Sequence, residues 1–194
     1  MELDLPEGLN DRDALSLLIG RVAMSHATLD IMLNFLHREL GGRGASVYLS
    51  AGKKTAALIS DCRLMVKKVG LEEEHAAIGL AVLTAASEAN ASRNRVVHDM
   101  WMTAYDESTG TPVPGRWVTA GQSRSGALNR VIEAGTKDLQ YVARAHEQQI
   151  EAATRVVSFQ MALAHLMPSG AWFGVPDMES ALRGDLDAAR GNSS

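Results

Sequence analysis

A chain of 194 residues is long enough for one domain with a real core. An aromatic content of only 5%, beside plentiful Ala, Leu and Met, disfavours a sandwich or barrel and favours helices. A formal charge of −4 gives no global attraction to nucleic acid or an anionic membrane, so any RNA contact has to come from local basic clusters.

The first residues, "MELDLPEGLNDRD", are acidic and lack an apolar core, so no secretory signal is expected there. An amphipathic helix is predicted from Asp11 to Leu40, capped by Asp11 or Asp13. Leu15, Leu18, Val22, Leu29, Leu33, Leu36 and Leu40 share one broad face of it. "GGRG", residues 41–44, stops it. A second helix is predicted over about Lys54 to Val69, with Ala57, Leu58, Leu64, Met65 and Val69 on its apolar face. Its single cysteine, Cys62, can form no internal disulfide and reads as a packed thiol.

A third helix opens on "EEEH", where acids suit the positive end of the helix dipole. It is predicted from about Glu72 to His98, with Ile78, Val82, Ala85, Ala89, Ser92 and Val96 on one side. Many of these are small, so a neighbouring helix can approach closely. The most apolar run of the chain, "AAIGLAVLTAA", lies here; at about 11 residues it is too short to span a bilayer. A soluble cytoplasmic protein with no membrane contact is the expectation.

Residues 101–124 break the helical pattern. "WMTAYD" and "GRWVTA" read as short strands around the turn-rich "ESTGTPVP", so a small hairpin or ordered loop is expected. A last long helix is predicted from about Thr136 to Met167, striped by Leu139, Val142, His146, Ile150, Ala153, Val157, Met161, Ala164 and Met167. Pro168 and Gly170 end it. The fold class expected is all-α, an up-and-down bundle of four to five helices. The bundle occupies residues 1–170. Residues 171–194 form a C-terminal extension, partly disordered, with a short apolar stripe through Met178, Leu182 and Leu186.

One stretch asks for more than packing. "NASRNRVVHDMW" places Asn90, Asn94 and His98 four residues apart, on one helix face. Arg93 lies about 100° around from Asn94. A fixed cation, an amide and an imidazole within two turns suit a phosphodiester. Arginine grips a phosphate with a two-pronged fork, histidine can move a proton at a 2′-OH or a leaving oxygen, and asparagine can orient either. The plainer reading also stands. A histidine near a helix end favours the negative end of the dipole, and Arg93 can simply pair with an acid.

"SRNRVVHDMW", at the end of the third helix of a small helical protein, resembles the HEPN superfamily. That family's signature is Arg, a polar residue that is often Asn, a spacer, then His. Arg93, Asn94 and His98 fit it, and the resemblance covers about residues 11–167. It implies a helical bundle, usually a homodimer whose two motifs meet in a composite cleft. It also implies a metal-independent endoribonuclease, often a toxin or defence protein, that acts by 2′-OH attack and leaves a 2′,3′-cyclic phosphate. On this reading Arg93, Asn94 and His98 are catalytic, Asn90, Arg95 and Trp101 contact RNA, and no cofactor is needed. An antitoxin or regulatory protein is a further implied partner. Family toxins controlled by a nucleotidyltransferase often carry Tyr two residues after the His, where this chain has Met100. Many members are instead silent modules that bind RNA, nucleotide or protein, and that alternative stays open.

Other residues carry weaker signals. His98-Asp99 also suits a metal-dependent HD phosphohydrolase, with His75 and Asp138 as nominal further ligands, though no spacing favours them. His26, His37, His146 and His165 read as structural or surface groups. Lys53, Lys54, Arg63, Lys67 and Lys68 form a basic run, either a solvated face or a phosphate track. Arg95, Arg116, Arg124 and Arg130 flank the motif in sequence. Trp101 and Trp117 either stack a base or pin the hairpin to the bundle.

Overall fold

The structure is a computed structural model that describes residues 5–41, 50–123 and 130–166. The expected C-terminal extension, residues 171–194, lies outside the described residues. Among the described residues four helices carry the fold: α1 (Asp11–Gly41), α2 (Thr55–Lys68), α3 (Glu73–His98) and α4 (Leu139–Leu166). Between α3 and α4 stand β1 (Met100–Tyr105), β2 (Pro112–Ser123) and β3 (Arg130–Asp138). These pair antiparallel in the order β1-β2-β3. The molecule is therefore mainly helical, but it is not a pure all-α bundle. The expected hairpin is real and gains a third strand.

The periodic leucines explain α1. Leu15, Leu18, Val22, Leu29, Leu33, Leu36 and Leu40 are all buried, none more than 6% exposed. Its cap is Asn10 rather than either predicted aspartate. Asn10 Oδ1 accepts from the Asp13 backbone N–H at 2.9 Å, and Asn10 Nδ2 donates to the Asp13 carboxylate at 2.8 Å. Helix α1 is also the one described helix long and apolar enough to cross a membrane, with mean hydropathy 1.2 over an 18-residue window of which 28% is buried. Apolar residues thus lie on its outer face as well as its inner one.

The core has two parts. The larger joins Leu29 to Leu40 of α1 with Leu58, Cys62 and Val66 of α2, Leu83 and Ala86 of α3, and Val156, Phe159 and Leu163 of α4. Small residues permit close helix approach here: a Cβ built on Gly79 of α3 would lie 2.5 Å from Phe159 Cζ. The smaller part gathers Leu15, Leu18 and Val22 of α1 around Val96, Trp117, Val142 and Ala145. It ties the sheet to the end of the bundle where α3 stops. Trp101 meets Trp117 edge-on at 6.4 Å and Tyr141 at 6.4 Å, and its indole N–H donates to the Val96 carbonyl at 2.9 Å.

Three predicted stripes are corrected. On α2, Ala57 and Leu64 face solvent, while Ile59, Cys62 and Val66 are core. On α3, Ile78 is 48% exposed and Gly79 is buried in its place. On α4 the buried face is Val142, Ala145, Gln149, Ala152, Val156, Phe159 and Leu163, and Ile150 and Met161 point outward. The reason on α4 is a polar core residue. Gln149, fully buried, donates to the Ala89 carbonyl of α3 at 2.6 Å and lies 3.0 Å from His26 Nδ1 of α1. His26 Nε2 lies 3.1 Å from Thr55 Oγ1 at the start of α2, and Thr55 donates to Asp30 at 2.6 Å. One polar network therefore touches all four helices. Helix α4 also begins later than predicted, because Asp138 caps it by accepting the Tyr141 N–H at 2.9 Å.

A second buried histidine gives the fold a pH dependence. His37 is fully buried, and neither ring nitrogen has a hydrogen-bond partner among the described residues. Burial, reinforced by Lys53, holds its pKa below the ordinary 6.5, and Asp61, 3.7 Å away, only partly restores it. His146 is lowered in the same direction, by burial and then by Arg21. Both rings resist protonation in the folded chain, while the unfolded chain takes protons near pH 6.5. Their stabilising contribution is complete above that pH and is lost as pH falls below it. Urea denaturation midpoints should therefore drop on going from about pH 7.5 to about pH 5.5. A midpoint that holds or rises over that interval contradicts the assignment.

Candidate functional site

The last turns of α3 hold the motif at an edge of the bundle. Val96 anchors them, since it is fully buried among α1, Trp117 and Val142. Asp99 then leaves the helix in an extended conformation and leads straight into β1. His98 is thus the last helical residue, fixed between a packed helix and a sheet that is itself pinned by tryptophans.

Arg93, Asn94 and His98 come together. Arg93 Nη1 donates to Asn94 Oδ1 at 3.0 Å and lies 2.9 Å from His98 Nε2. One guanidinium nitrogen carries two hydrogens, so it can serve both contacts. A guanidinium has no acceptor, so His98 must accept at Nε2, and the ring proton then sits on Nδ1. Arg93 is half-buried, while Asn94 and His98 are exposed. The buried Arg93 Nε–H has no partner among the described residues. An unsatisfied donor of this kind costs about 1–3 kcal/mol, so the resting arginine rotamer is not an optimal one. Asn90 lies on the same helix one turn earlier and is half-buried.

The other nominated residues separate into two places. Trp101 is held by Trp117, Tyr141 and the Val96 carbonyl, so its contacts serve packing. Arg95 sits roughly 200° around α3 from Arg93 and faces the other flank. There it lines a groove of about 460 Å³ between α3 and α4, with Glu88, Ser92, Tyr141, Arg144 and Gln148. Lys137 lies 4.4 Å from the centre of the Tyr141 ring. Sequence reasoning missed Tyr141, Arg144 and Gln148. The signal was their spacing of three and four residues, which puts them on one face of α4.

The carboxylate between the two flanks is Asp99. Burial pushes its pKa up, and Arg95, His98 and Lys137 pull it partly back. It therefore sits between the Arg95 and Lys137 cations on one side and the His98 imidazole on the other.

Other nominations give no site. Among the described residues no group of three His, Cys, Asp or Glu could hold a metal ion, so His75 and Asp138 do not join His98 and Asp99. Burial pushes the Cys62 thiol up to about 12, which leaves it a packing group rather than a nucleophile. In the basic run, Lys53 pairs with Asp61, and Arg63 reaches the Leu83 carbonyl and Thr84 on α3 at 3.4 Å each. Lys54, Lys67 and Lys68 remain exposed. Arg116 is exposed on β2, Arg124 lies outside the described residues, and Arg130 opens β3. No protein-family model, no curated protein and no solved structure matches this chain.

Proposed function

We propose that the chain is a metal-independent endoribonuclease of HEPN type, with Arg93, Asn94 and His98 as its catalytic set. The observation that carries this is the shared nitrogen of Arg93, which touches both the amide of Asn94 and the Nε2 lone pair of His98. A cation resting on the lone pair of a would-be base is a stand-by arrangement. An RNA phosphate competes for the guanidinium with a stronger, charge-assisted contact. Arg93 then leaves Nε2, and the lone pair is free to act.

The chemistry follows in balanced steps. His98 Nε2 takes the proton of a ribose 2′-OH. The 2′ oxygen attacks the adjacent phosphorus, and the bond from phosphorus to the 5′ oxygen breaks. An imidazolium returns a proton to that leaving oxygen. The products are a 2′,3′-cyclic phosphate and a 5′-OH. Arg93 neutralises charge on the phosphoryl oxygens, and Asn94 holds the guanidinium. Arg95 and Arg144, in the groove on the other flank of α3, supply contacts for backbone farther along the strand. A two-fold pair of chains, each bringing Arg93 and His98 to a shared cleft, belongs to the same proposal. So does a cytoplasmic place of action as a toxin or defence protein under an antitoxin or regulatory partner.

A second reading is a silent module that binds RNA, nucleotide or protein through the same edge. It is favoured by the net charge of −4 and by the engagement of Lys53 and Arg63 within the fold. Purified protein incubated with single-stranded RNA in EDTA decides between them. The nuclease reading expects cleavage of RNA and none of an all-deoxy strand of the same sequence. Binding without cleavage favours the module.

A further inference from the structure

The outer face of α1 repeats with the period of a coiled coil. Asp13, Leu17, Gly20, Met24, Ala27, Ile31, Asn34 and Arg38 follow one another at alternating steps of four and three residues. This seam lies opposite the leucine stripe that faces the core. Its large members are exposed in the single chain: Leu17 by 36%, Met24 by 75% and Ile31 by 50%. Phe35, 41% exposed, flanks it. Between the charges at its two ends the seam carries none.

We propose that this seam pairs with the same seam of a second copy of the chain, antiparallel, about a two-fold axis that crosses α1 between Ser25 and His26. The register is carried by self-complementarity. With the axis there, Met24 faces the partner's Ala27, and Ile31 faces the partner's Gly20. Each large side chain meets a small one, and a Cβ built on Gly20 meets nothing within 4 Å in the single chain. Leu17 faces the partner's Asn34. At each end Asp13 faces the partner's Arg38, so opposite charges meet. A parallel pairing would instead set Asp13 on Asp13, Arg38 on Arg38, Gly20 on Gly20 and Met24 on Met24, with like charges at both ends and large residues stacked on large. Through this seam alone isologous pairing closes at two copies, and together with the separate two-fold contact at the Arg93–His98 cleft it gives a larger even-numbered assembly. The seam runs roughly 38 Å, long enough for several layers of interlocking side chains.

The inference does not rest on the reading of Arg93 and His98, and the seam shares no residue with that set. The full chain is measured by light scattering at micromolar concentration, beside a Met24→Glu/Ile31→Glu variant checked for helix content by circular dichroism. The expected result is an even-numbered assembly whose mass halves in the variant, with the dissociation constant raised at least about a hundredfold by burying unpaired carboxylates. Register is read by oxidative cross-linking. Gly20→Cys chains mixed with Ile31→Cys chains should form the mixed disulfide, and Gly20→Cys chains alone should not. A wild-type monomer overturns the proposal, as does a mass unchanged by the two glutamates. Cross-linking of Gly20→Cys to itself shows a parallel pair and overturns the register. A monomer that adsorbs to lipid vesicles through Met24 and Ile31, or whose seam is covered by its own residues 167–194, assigns the seam to another occupant and likewise overturns it.

Discussion

Replacing His98 with alanine is expected to slow RNA cleavage by at least about a hundredfold, the ordinary contribution of a positioned general acid–base. The imidazole is exposed at the end of α3 and makes no core contact that its loss would disturb. Thermal stability of the variant should therefore stay within about 0.5 kcal/mol of wild type. Arg93→Lys is expected to fail comparably. An ammonium can neutralise a phosphate, but it lacks the planar two-nitrogen fork that grips two phosphate oxygens at once. The lysine variant also separates two roles. If Arg93 only fills space beside α3, lysine should restore most of the activity lost in Arg93→Ala. If it clamps the phosphate, lysine should not. Undiminished cleavage by His98→Ala removes the proposed mechanism.

Gln149→Leu is expected to be the most destabilising of conservative-volume changes on α4. It removes the second donor of the Ala89 carbonyl, which keeps its helical bond, and orphans His26 Nδ1 inside the bundle. The orphaned nitrogen costs about 1–3 kcal/mol and the lost hydrogen bond about 1 kcal/mol more, so roughly 2–4 kcal/mol is expected. For a chain of this size that lowers the melting temperature by on the order of 10 °C. Because the network reaches α1, α2, α3 and α4, unfolding should remain one cooperative transition at the lower temperature. Ile150→Ala, one residue along and 48% exposed, should cost under about 1 kcal/mol. A reversal of that order would show that the burial pattern of α4 is wrong.

The parts of the fold that were legible share a cause. The seven apolar core residues of α1 repeat at helical spacing, so period alone placed them, though not the buried His26 and His37 that share the helix's inner side. The break after His98 was legible because aromatic and β-branched residues replace alanine there. What period could not show was a polar residue belonging to the core. Gln149 looks like a solvent-facing position, and treating it so rotated the α4 stripe toward Ile150 and Met161. Its burial depends on His26, which lies on another helix and whose partnership no local pattern announces. Strand β3 was hidden for a related reason. "RVIEAGTKD" mixes helix formers with β-branched residues and a glycine, and only pairing with β2 decides its state. Asp138 was legible as a cap, but an earlier start at Thr136 passed over it.

The candidate site divides in the same way. Arg93, Asn94 and His98 lie within six residues of one helix, so the geometry of α3 was enough to bring them near one another. Their shared hydrogen-bonding nitrogen depends on rotamers that spacing does not fix. The groove of Arg95 and Arg144 needs two helices to meet, and sequence gave no register between α3 and α4. Trp101 was readable as an aromatic near the motif, but its packing between Trp117 and Tyr141 comes from the sheet.

The central claim is tested most directly by the chemical ends of the product. Single-stranded RNA is incubated in EDTA with wild-type protein and, separately, with His98→Ala, and the fragments are weighed by mass spectrometry. A 2′,3′-cyclic phosphate paired with a 5′-OH, formed by wild type and absent or strongly reduced with the variant, is the expected result. Fragments ending in a 5′-phosphate, or the same cyclic ends formed equally by His98→Ala, would contradict the assignment of His98 as the group that moves the 2′ proton.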